Sequence, residues 1–297
     1  MAATPALVDH ARQLAFHRSP AAALGELEQL AAAACGTAVE AELTWLVAVT
    51  LGGLGRFADA VGQVEPLLAD EPADPRVAAL GAATLASLLR QVGRHAEAEV
   101  HDEQGLQRAA GLGPAGIEAL VDCQVGLVAD AVGLPDLALA QERLAAVPAP
   151  APGLAGLLWR PWLRARWVSA EVALLCGRSH EAAAAGAAAV AAARDADAPR
   201  HLAKSLLFLG VATAQDGDRA AGGLHLEQAA RLAGDIGALP LVWPAHAVLA
   251  QLLAGDERAA ARHRTAAGRA VSVLAERLPA EWREPWLQGP DVAWLVS

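Results

Sequence analysis

The chain has no tyrosine, one methionine, three phenylalanines and three cysteines in 297 residues. Aromatic residues are only 4% of it, although apolar residues are 55%. A sheet protein draws on β-branched and aromatic side chains, so this scarcity argues against one. Cys35, Cys123 and Cys176 lie far apart and are odd in number. They suggest neither a disulfide framework nor a zinc site, and read as buried free thiols in a reducing cytosol. His180-Glu181 lacks the second histidine of a helical zinc motif. GxxxxGK[ST] and GxSxG are missing, and Gly105, Gly111 and Gly113 follow no strand that would make a dinucleotide fingerprint. No recognised catalytic motif is left, so the chain is expected to be non-enzymatic, without cofactor or metal.

Basic residues are also short, 23 against 33 acidic, for a net charge of −10. That balance lacks the basic field of a nucleic-acid binder. Arg258, Arg262, Arg264 and Arg269 form a basic stripe, but Asp256, Glu257 and Glu276 flank it, as on a solvated convex face. The first residues, Met1-Ala2-Ala3-Thr4-Pro5, lack the basic and apolar regions of a signal peptide. The alanine-rich run Ala182 to Ala193 is too short to cross a bilayer. A soluble, cytoplasmic protein with no membrane partner is expected.

What is abundant is alanine, valine and leucine. Alanine and leucine favour helices, and alanine lets helices approach closely. Glycines that would end helices recur with a small residue five positions on: Gly55/Ala60, Gly93/Ala98, Gly133/Ala138, Gly177/Ala182, Gly217/Gly222 and Gly255/Ala260. Successive markers are 38, 40, 44, 40 and 38 residues apart. Between them apolar residues keep helical period, as in Leu43, Leu46 and Val47, then Phe57, Ala60, Val61 and Val64. Each glycine stands where a helix C-cap needs positive φ, and each small residue where two helices cross. A stacked array of helical hairpins follows. Ala6 to Phe16 and Ala21 to Ala34 predict a preceding hairpin, with Ser19-Pro20 as N-cap and first helical residue. Leu278 to Leu287 predicts a capping helix, and Trp282, Trp286 and Trp294 are placed to cover the last apolar face.

The unit from Trp45 to Pro72, with Gly55, Phe57, Ala60, Leu67 and Pro72 at the motif positions, resembles a tetratricopeptide repeat. Partial matches such as Gly93, His95, Ala98 and Gly105, or Gly177, Ala182 and Ala189, extend the resemblance over roughly residues 20 to 270. The family's period is about 34 residues, and the longer spacing is similar to the helical-repeat regions of large bacterial regulators of the maltose-regulator and LuxR types. The ending also resembles the tails that close such regions, as in a stand-alone relative without the ATPase or DNA-binding part. The resemblance implies an all-α, right-handed α–α superhelix of about seven hairpins with a C-terminal cap. Residues 1–297 make one solenoid, with half-arrays 1–147 and 153–297 joined by the Pro-rich stretch 147–153, which reads as a rigid long turn or as a hinge.

Trp159-Arg160-Pro161-Trp162-Leu163-Arg164-Ala165-Arg166-Trp167 holds three of the eight tryptophans. Either its tryptophans fill a junction between half-arrays and its arginines pair with nearby acids, or Arg164, Trp167 and Glu171, one turn apart, face the concave groove, where arginine and tryptophan make binding hot spots. The same phasing puts Trp45, Arg90, Gln91, Gln124, Asp130, Lys204 and Gln215 near the inner surface. In the family the inner face of the first helices often binds an extended peptide. The resemblance therefore implies a protein- or peptide-binding scaffold, and Arg164 and Lys204 are the basic positions that would fix orientation. The asparagines of a chaperone-adaptor clamp are absent. The alternative is a regulatory module in which a peptide or small-molecule effector changes the angle between half-arrays.

Overall fold

Helix-ending glycines set the plan of the molecule. The computed structural model describes residues 3–69, 72, 74–150 and 158–296. Of the described residues 82% are helical and none is in a strand. Seven antiparallel hairpins follow one another: α1(Ala3–His17) with α2(Pro20–Ala33), α3(Glu40–Leu54) with α4(Phe57–Val64), α5(Pro75–Arg90) with α6(His95–Ala110), α7(Ile117–Gly133) with α8(Leu137–Ala146), α9(Trp159–Leu175) with α10(Ser179–Asp195), α11(Pro199–Gln215) with α12(Arg219–Asp235), and α13(Leu239–Leu252) with α14(Glu257–Glu276). The cap is α15(Ala280–Gln288) and the short α16(Ala293–Val296). Ser19 caps α2, its hydroxyl accepting from the Ala22 amide at 3.2 Å, with Pro20 at the first helical position.

Gly55, Gly93, Gly177 and Gly217 have φ of 76°, 77°, 69° and 108°, and each next helix begins two residues later. Their partners Ala60, Ala98, Ala182 and Gly222 are buried. Two markers depart from this rule. Gly133 remains inside α7, where its missing Cβ leaves room for the His95 ring. Helix α8 starts late behind the Asp136 N-cap, so the buried small residue is Ala140, while Ala138 is exposed. Near Gly255, Asp256 caps α14 by accepting from the Ala259 amide at 3.0 Å, and Ala259 is more deeply buried than Ala260. A further left-handed glycine, Gly237 at φ 74°, turns the chain from the sixth hairpin into the seventh.

First helices pack on first helices, α5 on α7, α7 on α9 and α9 on α11, and so form the inner wall. The winding goes far enough for distant hairpins to meet. Helix α13 touches α3, and α1 touches α11. The Ala58 amide donates to the Arg277 carbonyl at 2.9 Å, and His17 Nδ1 donates to the Ala196 carbonyl at 2.5 Å. Gly55, which no side chain separates from its neighbours, lies against Leu274 and Pro240. One apolar cluster therefore runs from Ala11 and Leu46 to Leu274, Trp282 and Leu295. Trp282 and Trp286 are buried in the cap and Trp294 is half-buried, donating from Nε1 to the Asp291 carbonyl.

The stretch 147–153 extends beyond the described residues, which stop at 150 and resume at 158. On either side of it α7, α8 and α9 share an apolar cluster that includes Val121, Val128, Ala140 and Trp162. Cys123 is buried, Cys176 half-buried and Cys35 exposed, so the expectation of three buried thiols fails at Cys35. Arg258, Arg262, Arg264 and Arg269 are exposed on α14. No described helix is long and apolar enough to cross a membrane.

Candidate functional site

The inner wall encloses a cavity of about 820 Å³. Every first helix contributes to it: Phe16 from α1, Val49 and Gly52 from α3, Thr84, Ser87 and Arg90 from α5, Asp122, Val125 and Ala129 from α7, Arg160, Arg164 and Trp167 from α9, Arg200, Lys204 and Phe208 from α11, and Leu241, Trp243 and Pro244 from α13. Pro285, Trp286 and Val292 of the cap close one side.

A chain of ion pairs stitches the wall together. Arg76 meets Glu42 at 2.5 Å, Glu42 meets Arg12 at 2.7 Å, and Arg12 meets Glu118 at 3.0 Å. Glu118 then meets Arg160 at 3.2 Å, Arg160 meets Asp122, and Asp122 meets Arg164 at 2.7 Å. Burial opposes ionisation of Glu118, but Arg160 and Arg12 outweigh it and hold the carboxyl below its usual range. Each carboxylate is flanked by two cations, which is what allows desolvated charges to persist.

A second cluster lies beside it. Arg90 Nη1 reaches both Asp102 and Asp130, the latter at 3.1 Å. Both carboxylates are 0% exposed. One guanidinium cannot satisfy two such charges. Burial, with repulsion from Asp130, pushes the Asp102 carboxyl up to about 8 against the pull of Arg90. The Asp102 carboxyl is thereby held toward its protonated form.

On α11 the balance is different. Burial, and then Arg164 and Arg160, depress the Arg200 guanidinium to about 10. Its Nε makes no hydrogen bond among the described residues. Burial likewise lowers the Lys204 ammonium to about 7; Arg164, Arg200 and Arg90 add to this, while Glu171 opposes it. The Glu171 carboxyl is raised by its own burial. His201, buried among these cations, is held well below its ordinary value and is neutral. Lys204 Nζ sits 4.6 Å from the ring centre of Trp167, which stacks on Phe208 and donates to Ser205 Oγ at 2.9 Å.

Of the residues the sequence placed near the groove, Arg90, Gln91, Arg164, Trp167, Glu171 and Lys204 line the cavity. Four do not. Trp45 is 1% exposed, in the core behind the wall, donating to Thr84 Oγ1 at 2.9 Å. Asp130 is sealed behind Arg90. Gln124 is half-buried on a part of α7 that does not line the cavity, and Gln215 is exposed at the end of α11. The Trp159–Trp167 stretch serves both readings: Trp162 packs in the junction of α7, α8 and α9, while Arg160, Arg164 and Trp167 turn inward. Sequence reading missed Asp122, Arg160, Arg200 and His201 as wall residues. Arg160 and Arg200 were within reach, each standing one helical turn before a named inward residue, Arg164 and Lys204.

No protein-family model matches the chain, and no curated protein matches it. A solved structure does: the crystal structure of a Rap protein complexed with competence and sporulation factor. It aligns over 90% of this chain and 76% of that one, with a TM-score of 0.60 and 13% sequence identity. At that identity the likeness is one of architecture, and with the seven stacked hairpins it makes this a TPR-like helical-repeat protein.

Proposed function

We propose that the chain is a non-enzymatic scaffold or adaptor that binds a short peptide in its concave cavity. The observation that carries this reading is the wall itself: first helices from every hairpin converge on one cavity with aromatic and apolar surfaces and a few inward cations. Its volume lies within the range of pockets that enclose small ligands, about 300–1,000 Å³, so a few residues of a partner would enter. Trp167, Phe208, Trp243 and Trp286 would supply affinity, and Arg164 and Lys204 orientation. The ion-paired wall is preorganised, which lowers the entropic cost of binding. The Rap structure of the same architecture was solved complexed with a factor, which supports this use of the fold.

The closing contacts between α3 and α13 and between α1 and α11 favour a second reading, a sensor in which occupancy sets how tightly the winding closes. The test is to fill the cavity. Ser87→Phe and Ala129→Phe add bulk at half-buried lining positions, whereas Arg262→Gln lies on the exposed face of α14. In affinity purification, a peptide or protein segment captured by the wild type and by Arg262→Gln is expected to be lost with both folded phenylalanine variants. Equal capture by all four would remove the cavity from the reading.

A further inference from the structure

The cavity is uneven in charge. On its α9–α11 side Arg160, Arg164, Arg200 and Lys204 face Glu118, Asp122 and Glu171. Behind Glu118, Arg12 and Arg76 are matched by Glu42 and Asp74. Arg90 pairs with both Asp102 and Asp130, and His201 is neutral. Arg160 and Arg164 each have a carboxylate at ion-pair distance and Glu171 acts on Lys204, whereas Arg200 has no carboxylate partner among the described residues.

The unpartnered cation of the wall is therefore Arg200. Its interacting charged neighbours are Arg164, Arg160 and Lys204, all of the same sign. Its Nε packs against the bare Cα of Gly53 on α3, with no hydrogen-bond partner among the described residues. A desolvated, unmatched cation is destabilising. Retaining one in a cavity wall makes sense where something entering the cavity matches it.

The neighbouring α13 side has another chemistry. Leu241, Trp243 and Pro244 of α13 stand with Trp286 and Val292 of the cap, and Trp243 meets Trp286 edge to face at 6.3 Å. We propose that the cavity takes an amphipathic monoanion, with one carboxylate seated at Arg200 between Arg164 and Lys204 and an apolar body against Trp243 and Trp286. A single carboxylate pairs with Arg200 and suits the planar guanidinium fork. A second negative charge would meet Asp122 and Glu171 instead. Two sources present this chemistry: a free lipophilic acid, and the C-terminus of an apolar peptide. The inference rests on the reading of the cavity as a ligand site.

Calorimetric titration of the full chain with octanoate, octanamide, N-acetyl-leucyl-phenylalanine and its amide tests it. One acid is expected to bind about tenfold or more tightly than its amide, and which acid does so identifies the source. Arg200→Gln is expected to bring that acid down to the affinity of its amide while raising the Tm of the unliganded protein, a combination that unfolding cannot produce. Equal binding of acid and amide, or an acid preference that survives Arg200→Gln, would overturn the anion subsite and leave cavity binding intact. A lower Tm for Arg200→Gln would show that Arg200 is already matched and overturn the premise. Absence of binding by all four probes would also overturn it, while the cavity-filling variants judge the wider reading separately.

Discussion

Asp102 shows how much a single residue of the wall depends on groups far away in sequence. Its carboxyl faces Arg90 and Asp130, with Arg164 beyond them. Its Oδ1 has no hydrogen-bond partner among the described residues, and the missing side chain of Gly126 gives it room. With a folded value near 8 against an ordinary 3.8, the folded state holds a proton that the unfolded state releases. Asp102 therefore stabilises the fold most at low pH, and that contribution falls away as pH rises from about 4 to 8. Urea unfolding of the wild type and Asp102→Asn at pH 4, 5.5 and 7 should show the stability difference moving against the wild type as pH rises. Parallel profiles would mean that Asp102 is ionised in the fold. The window below pH 7 isolates it from Lys204, whose depressed value makes stability rise between about 7 and 10.5. Helical phase alone brought Arg90 and Asp130 to the inner side. It could not show that they pair across 40 residues, because periodicity gives the facing direction of one helix and is silent on what the next presents.

At the scale of the element, the hairpins were legible because their punctuation is local. A C-cap glycine, a Ser-Pro start and a small residue at a crossing are each set within a few residues. The phase slipped at Gly133, where a late N-cap shifted the buried position from Ala138 to Ala140, and no marker in the sequence separates those two alanines. The sixth hairpin carries a distinction that a repeat pattern hides. Gly222 occupies the position that other units fill with alanine, yet a Cβ there would stand 2.7 Å from the Gly210 carbonyl oxygen and 2.8 Å from the Ala214 nitrogen. Helices α11 and α12 approach at backbone contact, which a methyl group cannot enter without separating them. Gly222→Ala should cost roughly 1–3 kcal/mol. At the neighbouring Gly223 the nearest atom, on Leu252, is at an ordinary 3.5 Å. Gly223→Ala should be neutral or stabilise by up to about 1 kcal/mol through helix propensity. Chemical denaturation of the two variants decides the matter, since adjacent glycines in one helix should give opposite signs. Two losses of similar size would show that neither site is special.

At the scale of the whole molecule, closure is what the sequence did not show. In an open solenoid each repeat touches only its neighbours, so stability is a sum of local terms and distant repeats are independent. Here Leu274 of the seventh hairpin packs at Gly55 of the second, and the Arg277 carbonyl accepts from Ala58. No periodic signal encodes such a contact, because it depends on the accumulated turn of four intervening hairpins. It has two consequences. The cavity exists as an enclosed space only while the seam is shut, and the second and seventh hairpins are expected to unfold together. Leu274→Glu places a charge in a position that is 1% exposed, where burial without a partner is costly. The seam should open while each hairpin keeps its own neighbour contacts. Scattering should then report a larger radius with little change in helical circular dichroism, and the single cooperative unfolding transition expected of the wild type should separate into two. An unchanged radius with one unbroken transition would mean that the array holds its curvature hairpin by hairpin, and that the cavity owes its shape to the stacking of first helices rather than to the meeting of the ends.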